Sequence, residues 1–291
     1  MRILITGGEG QLGRALHDAL AGEEVFALGH TQLDITDERS IAATFEEARP
    51  EVVLHAAAWT DTAGCENDPE RARRVNGEGP GLVAAACATA GAAMVYVSSN
   101  EVFDGEKGEP YKEDDPPKAI NEYGRSKLEG ERRVRAQLDR HYIVRTSWLY
   151  GPGRVSFPEK IVQAAQQQGR LTVVTDEIAS PTWTVDLARA IASLIRQPAW
   201  GTYHLTNAGA CSRLEWAREV LRLSGMTEVP ITPATLAEFG GPYRKPKFSA
   251  LANTHAAGLG IELRGWREAL ADHFARAAGD ARPPASTRPV R

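Results

Sequence analysis

The sequence predicts an α/β protein: a doubly wound parallel sheet followed by a smaller α/β lobe. Three observations predict it. Short, nearly all-apolar runs alternate with amphipathic helical stretches up to about residue 148, the pattern of a parallel sheet covered on both faces. The first apolar run leads straight into a glycine-rich turn, Gly7-Gly8-Glu9-Gly10-Gln11-Leu12-Gly13, and then into a helical stretch. The chain has 291 residues, 42% of them hydrophobic, enough to bury a large core in one domain or two interleaved ones.

Taken in order, Arg2 to Thr6 reads as a buried strand, Gln11 to Leu20 as a helix and Glu24 to Leu28 as a second strand. Thr36 is placed to cap a helix running from Glu38 to Ala48, and Glu51 to His55 is the third strand. Asp68-Pro69-Glu70 opens a helix with an N-cap, a first-position proline and an acid. That helix is expected to run past Gly81 to Gly91. Ala93 to Ser98 is the fourth strand, Tyr123 to Leu138 a helix and His141 to Thr146 the fifth strand. After Gly151 the alternation loosens. Leu171 to Thr175 and Thr202 to Leu205 read as strands, and Val185 to Arg196 and Arg213 to Leu223 as helices. Thr227 to Pro246, rich in proline and glycine, reads as loop, and Gly265 to Ala278 as a last helix. The expected division is a dinucleotide-binding domain over 1–148 and a lobe over 149–279 that partly returns to complete the sheet. A tail without fixed structure follows over 280–291.

Composition narrows the function classes. Lys and Arg total 34 against 38 Asp and Glu, a formal net charge of −4. No basic excess is present to attract nucleic acid or an anionic membrane. Cys65, Cys87 and Cys211 form neither a metal pair nor a disulfide framework, which suits a reducing compartment. No apolar run reaches the length of a membrane span. The first apolar stretch is broken by Gly7-Gly8-Glu9, unlike a signal peptide. A cytoplasmic protein with no membrane and no nucleic-acid partner is expected. The seven histidines show no metal-ligand spacing, so no metal site is expected.

The glycine turn carries the first chemical expectation. One of Gly7, Gly10 and Gly13 makes the tight turn, one lets the backbone approach a pyrophosphate, and one lets helix and strand pack closely. The following helix then offers unpaired N–H groups to the phosphates. In this setting, strand before and helix after, the turn predicts a Rossmann-type nicotinamide dinucleotide site. The second strand ends near Leu28-Gly29-His30 without an acid, and an uncharged end tolerates a 2′-phosphate. NADPH is therefore the expected cofactor, with NADH left open. Asp34, about 20 residues on, has roughly the spacing of a ribose-binding acid; with Ile35 it is placed instead near the adenine.

Tyr123 and Lys127 stand four residues apart on a helix and so share a face. A neighbouring ammonium favours the phenolate and lowers a phenol's pKa, and such a tyrosine can exchange a proton with a carbonyl oxygen. Lys127 can also hold the nicotinamide ribose. Ser99, just after the fourth strand, lies where a parallel sheet delivers residues to its crevice. Ser99, Tyr123 and Lys127 are the catalytic candidates.

At this point the chain resembles the dTDP-4-dehydrorhamnose reductases, a family of extended short-chain dehydrogenases/reductases. The likeness rests on the glycine turn, His55 to Thr60, Val75 to Pro80, Val102 to Gly105, Tyr123 to Glu129 and Arg145 to Gly151. It also rests on Ser180-Pro181-Thr182 and Arg244 to Leu251. The resemblance implies hydride delivery from NAD(P)H to C4 of dTDP-4-dehydro-6-deoxy-L-mannose, giving dTDP-L-rhamnose. It further implies that Gly7, Gly10, Gln11, Leu12, Gly13, Asp34, Ile35, Ala56, Ala57, Ala58, Tyr123 and Lys127 hold the cofactor. Thr60, Ser99, Asn100, Glu101, Trp148 and Arg244 are the substrate candidates it implies. Trp59 and Trp183 read equally well as core. The family often pairs as homodimers, but no interface is legible here.

One departure matters. The family pattern after the catalytic hydroxyl is Asp-Tyr-Val-Phe, whereas this chain has Asn100-Glu101-Val102-Phe103. A glutamate there is similar to the Thr-Asp-Glu of nucleotide-sugar 4,6-dehydratases, whose acid pair removes water. Asn100 has no carboxylic acid proton to supply, so dehydration is disfavoured. Two alternatives stand beside reduction: another nucleotide-sugar dehydratase or epimerase of this fold, and a non-catalytic NADP-binding subunit like the beta subunit of methionine adenosyltransferase.

Overall fold

The computed structural model describes residues 1–280. The first half contains β1 (Arg2–Thr6), α1 (Gln11–Ala19), β2 (Glu24–Leu28), α2 (Glu38–Ala48), β3 (Val52–His55), α3 (Thr62–Asn67), α4 (Pro69–Ala72), α5 (Gly79–Ala90), β4 (Ala93–Ser99), α6 (Glu122–Gln137) and β5 (His141–Thr146). The second half contains β6 (Leu149–Tyr150), α7 (Phe157–Gln168), β7 (Leu171–Val174), β8 (Ile178–Ala179), β9 (Thr182–Trp183), α8 (Thr184–Leu194), β10 (Gly201–His204), β11 (Cys211–Ser212), α9 (Arg213–Leu223), β12 (Ile231–Ala234), α10 (Leu236–Phe239), α11 (Thr254–Gly258) and α12 (Trp266–Asp280).

Six strands form one parallel sheet in the order β10-β5-β4-β3-β1-β2. The chain builds outward from β1 to β2, then returns to lay β3 on the other side of β1. That reversal opens a crevice beyond the carboxyl ends of β1 and β3. Sequence dictates this centre. Ile3, Leu4 and Ile5 are wholly buried, because a central strand is covered on both faces. Leu12, Ala15 and Leu16 turn the buried stripe of α1 onto the sheet, where Leu187 and Ile191 of α8 join the same cluster. On the opposite face, α2, α5 and α6 contribute Ile41, Val83, Cys87 and Val134. A third cluster, around Trp183, Trp216 and Leu270, forms the core of the second half.

The structure departs from the sequence reading in several places. Asp37, not Thr36, caps α2 by accepting from Arg39 N, while Thr36 gives its hydroxyl to Asp34. The helix opened by Asp68 does reach Gly91, but a π-helical stretch over Arg73–Glu78 interrupts it. The short α3, capped by Asp61, lies in a stretch with too little apolar periodicity to announce a helix. The segment read as loop from Thr227 to Pro246 holds β12, which pairs in parallel with β7, and α10. In that two-stranded sheet both strands are edges, so β12 accommodates Pro233. The tail expected over 280–291 lies, beyond Asp280, outside the described residues. Among the described residues no helix is long and apolar enough to cross a membrane.

Candidate active site

The crevice beyond β1 and β3 is a cleft of about 650 Å³. Its wall at the β1 end is the glycine turn. Gly7 has φ +71°, and a side chain there would run into Ala57 Cα at 2.8 Å. At Gly13 a Cβ would sit 2.2 Å from Gly7 O, so helix and turn touch backbone to backbone. The N-cap of α1 is Gly10, which supplies no capping side chain, so the first N–H groups of the helix face the cleft without side-chain partners among the described residues. A small-residue cradle and an uncapped helix start together fit a pyrophosphate. Ala56, Ala57 and Ala58, following β3, line the same wall, as do Leu12 and Gln11. Gln11 also donates through Nε2 to Gly151 O at 2.7 Å and Arg154 O at 3.1 Å, tying the turn to the loop after β6.

Asp34 and Ile35 lie outside the cleft lining. Asp34 accepts from the Thr36 backbone and hydroxyl, bonds that hold its carboxylate below the usual range. Ile35 is buried in the core beneath Gly79.

Ser99, Tyr123 and Lys127 converge on the cleft floor. Ser99 is the last residue of β4, and its Oγ accepts from Glu101 N at 3.2 Å. The start of α6 is fixed by Asn121, whose Oδ1 accepts from Gly124 N at 2.8 Å. Lys127 is buried, with its Nζ 4.2 Å above the Tyr96 ring. Burial pushes its pKa down to about 7, against the pull of Glu131 one turn along the helix. The spacing alone suggests that the ammonium lowers the Tyr123 pKa. Instead burial raises the phenol, the nearby Glu101 charge adds to this, and a hydrogen bond with Ser99 works the other way. The lysine is not among the groups that shift this phenol, and burial disfavours the lysine's own charge as well.

Asn100 is buried and donates through Nδ2 to Ser249 Oγ at 2.7 Å. This bond joins the turn after β4 to the late Phe248-Ser249 motif. Glu101 also lines the cleft, its Oε2 accepting from Asn121 Nδ2 at 2.5 Å. Burial raises its carboxyl above the ordinary value, and the Asn121 bond offsets part of this. The Asn121 amide also donates to Arg244 O at 3.0 Å, but Arg244 itself lies outside the cleft lining. Trp148 has φ +44°, a strained value for a non-glycine residue. Its ring stacks on Trp216 with centroids 5.4 Å apart, and the Arg213 guanidinium lies 3.6 Å from its centroid. Thr60 is on the lining and accepts from Arg154. Trp183 is core, whereas Trp59 is half-buried under the Arg71 guanidinium.

Several lining residues were not among the site candidates of the sequence reading. Arg154 and Lys160 bring two cations to the cleft from the second half of the chain. Thr146 and Ser147 present buried hydroxyls with no partner among the described residues. Glu9 lines the mouth beside Gly29 and His30. Only its place in the glycine turn marked it.

A family profile described as RmlD substrate binding domain matches residues 1–278. A dTDP-4-dehydrorhamnose reductase of Streptomyces griseus is 40% identical over 292 residues, covering 97% of this chain and 96% of the relative. Among solved structures, a dTDP-4-dehydrorhamnose reductase of Clostridium acetobutylicum superposes with a TM-score of 0.92 at 39% identity, over 96% of this chain and 100% of that one. One from Bacillus anthracis, solved with NADP, superposes with a TM-score of 0.92 at 35% identity, over 94% of this chain and 99% of that one.

Proposed function

The chain belongs to the RmlD substrate-binding-domain family, and from that premise we infer that it reduces the C4 ketone of dTDP-4-dehydro-6-deoxy-L-mannose to give dTDP-L-rhamnose, using NADPH or NADH. The observation that carries this reading is the single cleft running from the glycine turn to Ser99, Tyr123 and Lys127. The nicotinamide, when bound in reduced form, supplies the hydride. The start of α1 would hold the pyrophosphate on its backbone N–H groups, with Gly7, Gly10 and Gly13 leaving room for the close approach.

The Ser99 and Tyr123 hydroxyls hold the ketone oxygen, and the phenol passes its proton to that oxygen. A phenol kept protonated by burial is in the right state to donate. Lys127 steadies the phenolate that this leaves and holds the nicotinamide ribose. Trp148, braced by Trp216 and Arg213, flanks the sugar. Glu101 offers a polar contact to it. Asn100 has no carboxylic acid proton and its amide is committed to Ser249, so Glu101 stands beside Ser99 without the acid partner that a dehydratase pair needs. This favours reduction over dehydration.

The test is cofactor oxidation followed by absorbance, with the dTDP-4-keto sugar made in situ and the product identified by NMR. Stoichiometric oxidation with a new carbinol proton at C4 is expected. Enzyme that binds the keto sugar without oxidising either cofactor would refute the reading.

A further inference from the structure

The sequence has no acid at the end of β2, yet the fold brings one there. A Cβ built on Gly29 would stand 2.3 Å from the Glu9 carboxyl carbon and 2.5 and 2.7 Å from its two oxygens. The Glu9 carboxylate therefore fills the space that a side chain at position 29 would take. Its backbone is fixed on both sides. Gly8 N donates to Leu28 O at 2.8 Å, and a Cβ on Gly8 would meet the Ala27 carbonyl carbon at 2.7 Å, so turn and strand end are in direct contact. The Glu9 carbonyl accepts from Arg14 Nε at 2.9 Å. Among the described residues nothing donates to the carboxylate itself, which faces the cleft mouth beside Gly29 and His30. The cleft's lining arginine and lysines are placed elsewhere, Arg154 near Thr60, Lys160 on α7 and Lys127 over Tyr96, and the neighbouring Arg14 bonds the Glu9 carbonyl rather than its carboxylate.

In this fold the end of the second strand meets the adenosine ribose. An acid there accepts from the 2′-hydroxyl, whereas a 2′-phosphate calls for an arginine. We propose that Glu9 is the residue that reads the adenosine ribose, accepting a hydrogen bond from a free 2′-hydroxyl and repelling a 2′-phosphate, so that this chain takes NADH at least as readily as NADPH. The inference rests on the dinucleotide reading above and is independent of which sugar is reduced. NADPH is still admitted, because the carboxylate is exposed and water screens it. A like-charge contact in that setting shifts selectivity by about tenfold.

The experiment compares wild type, Glu9→Gln and Glu9→Arg. For each, kcat/KM is measured with NADH and NADPH on the keto sugar, and Kd for both dinucleotides by fluorescence titration without sugar. The NADH/NADPH ratio is expected to fall about tenfold in Glu9→Gln and further in Glu9→Arg, in line with loss and reversal of one charge. Taking the ratio within one protein cancels any loss of folded enzyme. A ratio within about twofold of wild type in both variants, measured against a contact worth about tenfold, overturns the proposal. If no sugar is reduced but the Kd ratio shifts, the sugar reading fails and the Glu9 assignment stands. If neither dinucleotide binds, both fall.

Discussion

Gly124→Ala puts the geometry of the reaction under test without touching a reacting group. Gly124 follows Tyr123 on α6, and a Cβ there would lie 2.1 Å from Glu101 O, 2.9 Å from Glu101 C and 3.1 Å from Ala119 Cβ. Relieving the first contact requires about 1 Å of movement, since carbon and oxygen in contact sit more than 3 Å apart. The Glu101 side cannot yield easily: its N–H is bonded to Ser99 Oγ, and Phe103 N donates to Asn100 O at 3.2 Å. The first turn of α6 must therefore lift, carrying Tyr123 away from Ser99. A misplacement of about 1 Å costs on the order of 100-fold in rate. Overpacking costs about 1–3 kcal/mol of stability, and alanine returns about 1 kcal/mol of helix propensity over glycine. A melting temperature lowered by only a few degrees is expected. Steady-state kinetics and a thermal melt read the two effects separately, with Gly22→Ala, where nothing lies within 4 Å among the described residues, as a silent control. A Gly124→Ala enzyme that keeps wild-type kcat would refute the argument that this contact sets the Ser99–Tyr123 geometry.

Three other expectations follow from the same site. Tyr123→Phe removes the proposed proton donor and should lower kcat by at least about 100-fold while dinucleotide Kd changes little; turnover near the wild-type rate would exclude the phenol as donor. Burial pushes the Lys127 pKa down to about 7, and kcat/KM reports free-enzyme groups, so kcat/KM should fall as pH rises through that value and the ammonium is lost. An alkaline limb that survives in Lys127→Met would assign that titration to another group. Glu131 is buried against Arg145, its Oε2 2.8 Å from the guanidinium, and Ser98 donates to its Oε1 at 2.7 Å. Glu131→Gln leaves the arginine charge uncompensated and should cost about 3–5 kcal/mol by denaturant titration. Burial pushes the Glu131 pKa up, but Arg145 and Ser98 more than offset it, leaving the carboxyl below its ordinary range. Its contribution is therefore complete above that range and is lost as pH falls through the folded value.

The parts of this account legible in the sequence are those fixed by local pattern. The strands of the first half, the helix after Asp68 and the Tyr123–Lys127 pair follow from runs and spacings of a few residues. Ser99 was legible because a parallel sheet delivers strand ends to one crevice. The parts that escaped depend on contacts between distant segments. Glu9 stands at the end of β2 only because the turn folds back onto Ala27 and Leu28. Arg154 reaches the cleft because Gln11 holds its loop. The pKa of Tyr123 depends on burial that no i to i+4 spacing encodes. The strand at Ile231–Ala234 was hidden by its proline, which is tolerated only because the strand is an edge.

The most direct test of the central claim is the fate of a labelled hydride. NADPH or NADH carrying deuterium at both C4 positions of the nicotinamide is incubated with the enzyme and the dTDP-4-keto sugar, and the sugar product is analysed by mass spectrometry and NMR. The account predicts one deuterium per product molecule, at sugar C4, with Tyr123→Phe reducing its appearance in step with kcat. Product formed without deuterium at C4, or deuterium found at another ring carbon, would contradict it.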